Sequence, residues 1–543
     1  MAVSENNTIK KNKSNKFSGF LILVVLAAIV FVVNSGILSP QYDTDAPRDK
    51  MPVVYVKDGI LNVRPVNKRA SKLSDFLNAN DESATGYASR VALSETGNSI
   101  YFLENFNEAT HTGTLYASYN GKTKIPVAYN VLNNIKICQK GDHALYIANP
   151  DFDTMTGTLY IHKKGEERKK IADNVGLDDF LFTDDDCKAF MYLSKEAIQH
   201  DIWDLYYADF KGYNEKVDSG VRYIVNLYKT NEAIYTKANA LEEQAELYYW
   251  KKSRPSVKIA SNVIVNNGVP CVYTTKISPK LYFLAKNEVT SSNDLWHANG
   301  KKSAKIIAEN VSLVLNNDSE NANIIYTKDF SDYISDSYVK LKNKTVLMLT
   351  QGQHNLNNSI DASYNFRNIA FLTNIDPTKN IGQLRYKKTG MFSDKTDVII
   401  ADSVSAFAIS QKGNVLAYVT SASVNEAGSL YVYKNNKSEF VAGNVLPSNF
   451  KLAENGNCLY YLDNFNTSSN SGNLYIKKLS IIDKKLIKLD SNVMPNFYPR
   501  NDKNIVYMKD YDVETGSIDL YFSKTNGKTE LVDTGCITVL LED

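Results

Sequence analysis

Apolar and polar positions alternate in short runs along this chain, and the runs recur. A clear copy lies between residues 500 and 535. Ile505-Val506-Tyr507 is followed by a polar loop over 509–517, then by Leu520-Tyr521-Phe522, then by Leu531-Val532-Asp533-Thr534-Gly535. The Leu-Tyr pair returns at Leu115/Tyr116, Leu159/Tyr160, Leu205/Tyr206, Leu247/Tyr248, Leu430/Tyr431 and Leu474/Tyr475, with Leu295/Trp296 and Leu384/Tyr386 as variants. The spacing is roughly 42–48 residues, a period that belongs to blade-type repeat architectures.

Within one copy, four segments fit a strand template: 134–139, 144–148, 158–162 and 169–174, here called A, B, C and D. A and B are joined by tight turns such as Gln411-Lys412-Gly413-Asn414 and Glu454-Asn455-Gly456-Asn457. C and D are joined by Asn120-Gly121, Lys164-Gly165, Asn299-Gly300 and Asn526-Gly527. Gly and Asn accept the positive φ of short hairpin turns. The B-to-C link is longer and polar. Each copy therefore reads as a four-stranded antiparallel meander. One such sheet would leave an apolar face wet, and stacking the sheets face to face around an axis buries it. The tyrosine after each leucine suits packing between neighbouring sheets, since its ring is large and its hydroxyl can find a partner.

The expected fold class is all-β, a β-propeller of about eleven four-stranded repeats over 53–543. The B segments are 53–56, 100–103, 145–148, 190–193, 233–236, 281–284, 324–327, 369–372, 416–419, 459–462 and 505–508. Single propeller rings usually hold four to eight blades, so two rings are favoured over one large ring. A switch between rings is expected near 270–352, where the A segment at Pro270–279 is irregular and 338–352 lacks the Leu-Tyr pair. The first copy starts at its B segment, and 537–541 is an A segment with nothing after it. These two ends complement each other, so 537–541 is expected to pair with 53–56.

The first forty residues follow another pattern. Lys10, Lys11, Lys13 and Lys16 precede an apolar run over 17–38. About 22 residues at 1.5 Å each reach roughly 33 Å, enough to cross a bilayer. Asp43, Asp45 and Asp49 follow the run. The lysines place 1–16 in the cytosol, 17–38 as a single transmembrane signal anchor and 39–52 as a tether, with the repeats outside the cell membrane. A cleavable signal peptide ending near Val33-Asn34-Ser35 is the alternative.

Composition changes this picture little. The chain has 543 residues, 62 basic and 60 acidic, for a net charge of +2. That is no electrostatic footprint for nucleic acid. Five cysteines (Cys138, Cys187, Cys271, Cys458, Cys536) stand far apart with no zinc-type spacing. They read as small buried hydrophobes, with one disulfide between distant blades as the alternative.

The stretch Asn496-Phe497-Tyr498-Pro499-Arg500-Asn501-Asp502-Lys503-Asn504-Ile505-Val506-Tyr507, with Asp519-Leu520-Tyr521 and Gly527, resembles the WD40-like, TolB-type propeller repeat, found also in propeller domains of prolyl oligopeptidase and dipeptidyl peptidase relatives. The chain is also similar to membrane-anchored propeller proteins of unknown function in low-GC Gram-positive bacteria. The resemblance covers 53–543 and its motifs are structural, so it implies a fold and a binding role without chemistry. Many copies here lack the Pro-Asp-Gly turn of the TolB pattern, so TolB partners do not transfer.

No nucleophile elbow, zinc-protease helix motif, phosphate loop or dinucleotide fingerprint is present in the sequence, and the repeats leave no room for a hydrolase domain. The six histidines (His111, His143, His162, His200, His297, His354) are spread over different links and strands, which argues against a histidine metal site. The B-to-C loops are the better candidates, because function concentrates on loops. They hold Glu104, Glu108, Glu242, Glu243, Asp329, Asp332 and Asp463. Two of them, Asp151-Phe-Asp153-Thr-Met-Thr-Gly157 and Asp510-Tyr-Asp512-Val-Glu514-Thr-Gly516, resemble each other. Asp151, Asp153, Asp510, Asp512 and Glu514 are candidate calcium ligands, since alternating carboxylates near a glycine can wrap a hard cation. Solvated turn residues are the other reading, and an acidic rim could steer a cationic partner.

The expected function is a non-catalytic binding or scaffold module outside the cytoplasmic membrane, for a protein, peptide or cell-wall glycan. No organic cofactor is expected. The alternatives are a carbohydrate-active lyase or glycosidase using loop carboxylates, and a sensor or assembly factor of the cell envelope.

Overall fold

The computed structural model describes residues 51–540 except 66–67, 78–87, 95–96, 120, 122, 139–141, 184–186, 196–202, 229–230, 239–242, 276–277, 319–321, 332–333, 342–343, 354–359, 390–396, 481–484 and 501. The predicted tail 1–16, span 17–38 and nearly all of the tether lie outside the described residues, as do His200, His354, Glu242 and Asp332. No helix among the described residues is long and apolar enough to cross a membrane.

The fold is all-β. In one unit the B strand His143–Asp151 and the C strand Thr156–Lys163 run antiparallel with Leu145 opposite Ile161 and Tyr146 opposite Tyr160. The next strand, Lys169–Phe182, pairs with C through its first part, Lys170 opposite Tyr160. Its last part pairs with the following B strand Ala189–Ser194, Phe180 opposite Tyr192. The predicted D and A segments are thus one strand that passes from unit to unit. Lys124–Ile137, Asn214–Tyr228, Val398–Ile409, Leu486–Arg500 and Thr529–Leu540 do the same.

The closing Asn/Ser/Gly-Val phrase marks the place where that strand is handed over. Asn130, Asn174, Gly220, Asn262, Asn310, Ser403, Asn492 and Gly535 all adopt positive φ, and the ladder shifts register around them. Asn and Gly tolerate this conformation best. A bulge bends the strand without reversing it, which is why D runs on into A in the continuous strands above, whereas a turn separates Lys437–Val445 from Phe450–Leu452. The next residue (Val131, Val175, Val221, Val263, Val311, Val404, Val493 and Cys536) is buried.

The B strands are buried on both faces, so they read as continuous apolar runs. Alternate side chains serve different neighbours. Leu145 and Ile147 pack with Phe190 and Tyr192 of the following unit, while Ala144, Tyr146 and Ala148 pack with Tyr101 and Leu103 of the preceding one. The Leu-Tyr pair works the same way across the sheet. Leu159 enters the cluster shared with the following unit and Tyr160 packs against the preceding one. Leu205/Tyr206, Leu247/Tyr248, Leu474/Tyr475 and Leu520/Tyr521 split likewise. Each tyrosine also stacks on the aromatic opposite it in its own unit, as in Tyr160 on Tyr146, Tyr206 on Tyr192 and Tyr521 on Tyr507, at 5.2–5.8 Å between ring centres. Four-stranded meanders joined face to face through shared apolar layers are the organisation of propeller blades.

In the two regions expected to be irregular the strand pairing is interrupted, yet apolar packing continues across both. The A position near 270 is split into Val269–Pro270 and Val272–Thr274, because Pro270 has no N–H for the ladder. Apolar packing still runs on from Tyr282 and Leu284 to Ile324 and Tyr326. Tyr338 stacks on Tyr326 at 5.4 Å, in the usual place, and a buried Ser337 takes the place of leucine. From there Ile325 and Val339 pack with Ile369 and Phe371. The strand Thr529–Leu540 lies beside Val53–Lys57, with Val54 opposite Leu540 and Val56 opposite Thr538. Val53 and Tyr55 pack with Val506 and Leu520, and Val54 and Val56 with Ile100 and Phe102.

Candidate functional site

Several of the described B-to-C loops share one design. The first side chain caps the backbone of its own turn. Asp151 Oδ1 accepts from the N–H of Asp153 (3.0 Å) and Thr154 (3.4 Å), and Asp512 Oδ1 from Glu514 (2.9 Å) and Thr515 (3.4 Å). Asn287 does so toward Val289 and Thr290, Asp376 toward Thr378 and Lys379, and Asn466 toward Ser468 and Ser469. Two hydroxyls then meet across the turn: Thr154 with Thr156, Thr290 with Ser292, Ser469 with Ser471, Thr515 with Ser517, at 2.7–2.9 Å. A residue of positive φ follows the first hydroxyl in each case: Met155, Ser291, Asn470 and Gly516.

This places the calcium candidates. Asp151 and Asp512 are turn caps, and neutral asparagine fills the same position in sister loops. Hydrogen bonds from the Thr154 hydroxyl and from the amides of Asp153 and Thr154 hold Asp151 below the usual carboxylate range. The Glu514 amide, then the Thr515 hydroxyl and amide, do so for Asp512. Asp153, Asp510 and Glu514 are exposed. Among the described residues these carboxylates do not converge. The group of metal-ligating atoms that does is Cys138, Asp142 and His143, and there Cys138 is bonded to Cys187, which removes the thiolate a metal would need. His143 bonds Asp142 at 2.8 Å and stacks on Phe210 at 4.3 Å between ring centres.

Three more of the predicted loop acids serve structure, while Glu243 is exposed. Glu104 is buried and binds Lys124 through both oxygens at 2.9 Å and the Asp75 amide at 2.8 Å. Glu108 pairs with the buried Arg90. Asp463 caps the Asn464 amide at 2.8 Å. His162 bonds the Tyr101 hydroxyl at 3.0 Å, and His297 packs on Tyr282, with burial lowering the pKa of both.

The cysteine reading changes for two of the five. Cys138 and Cys187 form a disulfide, while Cys458 and Cys536 are free and buried and Cys271 is free and half-buried. The bonded pair stands 49 residues apart, about one repeat period. That puts the two in matching A-to-B turns of consecutive units, a signal present in the spacing. Sequence reading also missed Asp179, in the link between two units. Burial, then the adjacent Asp178 charge, push its carboxyl up to about 6.

A scan against protein-family models and a search of curated proteins found no match. Among solved structures the chain is similar to a eukaryotic initiation factor, with a TM-score of 0.39 and 11% identity over 72% of this chain and 96% of that one. It is also similar to the β-propeller domain of the Trilobed protease from Pyrococcus furiosus, with a TM-score of 0.28 and 13% identity over 55% and 94%. TolB from Acinetobacter baumannii matches with a TM-score of 0.24 and 10% identity over 56% and 81%. Likenesses of this size say nothing of activity or partners; the blade organisation rests on the strand pairing and shared clusters above.

Proposed function

We propose that the chain is a membrane-anchored, extracytoplasmic β-propeller that binds or scaffolds a protein, peptide or cell-wall glycan without catalysing a reaction. The observation that carries this reading is the fate of the polar side chains. Five of the loop acids, Asp151, Asp512, Glu104, Glu108 and Asp463, are tied into their own turns or into structural ion pairs, and Asp153, Asp510 and Glu514 are exposed without converging, which leaves a framework that displays surface. Export draws support from the lysine-flanked apolar run at 17–38 and from the Cys138–Cys187 disulfide, since such bonds persist in oxidising compartments.

The number of units is eleven in this reading, closed as a single ring. Shared clusters that pass across 270–352 and across the pairing of Thr529–Leu540 with Val53–Lys57 support one ring over two. The test of function is cross-linking of the full chain on intact cells of its source, followed by capture. Recovery of one defined protein, peptide or glycan partner is expected. Recovery of none, together with turnover of an envelope glycan by the purified chain, would overturn the reading in favour of a carbohydrate-active enzyme.

A further inference from the structure

A cleft of about 380 Å³ opens where the unit of Glu232–Ala238 and Gln244–Lys251 meets the unit of Lys280–Lys286 and Asn293–Asn299. That volume suits a small ligand. Its charge is lopsided in a chain whose net charge is only +2. Arg254, Lys301 and Lys302 line it, and none of them makes an ion pair among the described residues. A fourth cation, Lys251, is matched by Glu232 at 2.6 Å. Three unmatched cations therefore converge from two C-to-D turns.

The floor is aromatic and polar together. Tyr249 and Tyr228 lie in it, beside Pro279. The Tyr228 hydroxyl is buried beside Asn226 and Thr274, which bond each other at 2.7 Å. The turn that carries two of the cations is seated by Gly300. It has φ +56°, and a Cβ there would lie 3.4 Å from Pro279 and 3.6 Å from Tyr249. Its amide bonds the Pro279 carbonyl at 2.7 Å. Gly300, which precedes Lys301 and Lys302, is thus held against Pro279 and Tyr249.

We propose that this cleft binds an anionic saccharide, a sugar ring bearing a carboxylate or a phosphate. Arg254, Lys301 and Lys302 take the anion through charge-assisted hydrogen bonds. The ring's C–H edge packs on Tyr249 and Pro279, and its hydroxyls meet Ser278 and Asn299. Tyr249 is only 7% exposed, which suits a sugar edge and leaves no open face on which a nucleobase could stack. The inference rests on the reading of the chain as a binding module and names one ligand class for it.

The experiment is titration of the detergent-solubilised full chain with glucuronate, glucose 6-phosphate, glucose, inorganic phosphate and AMP at low ionic strength. Both anionic sugars are expected to bind at least about tenfold more tightly than glucose or inorganic phosphate. Affinity should weaken with added salt, and an Arg254→Gln/Lys302→Gln double variant should lose at least about tenfold. A Lys437→Gln variant, on a distant exposed strand, should bind as the unaltered chain does. Equal binding of glucose, equal binding of inorganic phosphate, tighter binding of AMP, or full binding by the double variant would each overturn the proposal. If the anionic sugars fail while capture from cells returns a protein partner, the cleft assignment falls and the binding-module reading stands.

Discussion

Asn492 sits at φ 57° just before the buried Val493, where the strand Leu486–Arg500 bends from one unit into the next. An alanine there must take up a left-handed conformation that its Cβ resists. Asn492→Ala should cost about 1 kcal/mol, and Asn492→Gly should stay close to the original, as measured by urea unfolding. Asp179 makes the opposite case. Its folded-state pKa, about 6, lies above the ordinary value for an aspartate. The folded chain therefore holds the proton more tightly than the unfolded chain, and stability falls as pH rises from about 4 through 6. Asp179→Asn should melt like the unaltered chain near pH 4 and higher than it at pH 8, by a stability difference on the order of 2 kcal/mol. A variant no more stable at pH 8 would show that the carboxylate is not strained by its burial.

At the scale of the element, the Leu-Tyr pair explains how identical units adhere. Neighbouring residues on a strand face opposite ways, so one dipeptide contacts two neighbours. The leucine is fully buried and the tyrosine half-buried, so the two should differ in weight. Leu520→Ala should destabilise by about 2–5 kcal/mol through cavity formation. Tyr521→Leu should cost less, about 0.5–1.5 kcal/mol for the lost stacking on Tyr507; denaturant titration of both would check the order. The pairing of Val53–Lys57 with Thr529–Leu540 has its own chemistry. Asp533 accepts from the Tyr55 hydroxyl and from Lys57, both at 2.8 Å. Burial opposes its ionisation, but those bonds together leave it below the usual carboxylate range. A depressed carboxylate stabilises the fold above its unfolded pKa, and that contribution is lost as pH falls through the lower folded value. Asp533→Asn should therefore flatten the acid limb of the stability profile below about pH 4. Tyr235–Asp218–Lys237 and Tyr507–Asp490–Lys509 repeat the arrangement.

For the whole molecule, periodicity made the strands and their stacking legible because burial on two faces writes itself into every copy. The positive-φ residues were equally visible as Asn, Ser or Gly in the closing phrase, yet their role as bulges depends on where the chain turns, which spacing alone does not fix. Asp151 and Asp512 looked like ligands because a capping carboxylate and a binding carboxylate are the same residue; the asparagines at 287 and 466 were the clue that charge is dispensable there. The cleft at Arg254, Lys301 and Lys302 was not legible, since its cations come from separate units and meet only after stacking. The central claim is that the units form one closed ring whose repeated residues build the frame and whose distinctive surfaces bind. Electron cryomicroscopy of the detergent-solubilised full chain tests it most directly. Eleven units around one axis, with Val53–Lys57 beside Thr529–Leu540, are the predicted result; two smaller rings, or an open array with those strands apart, would contradict it.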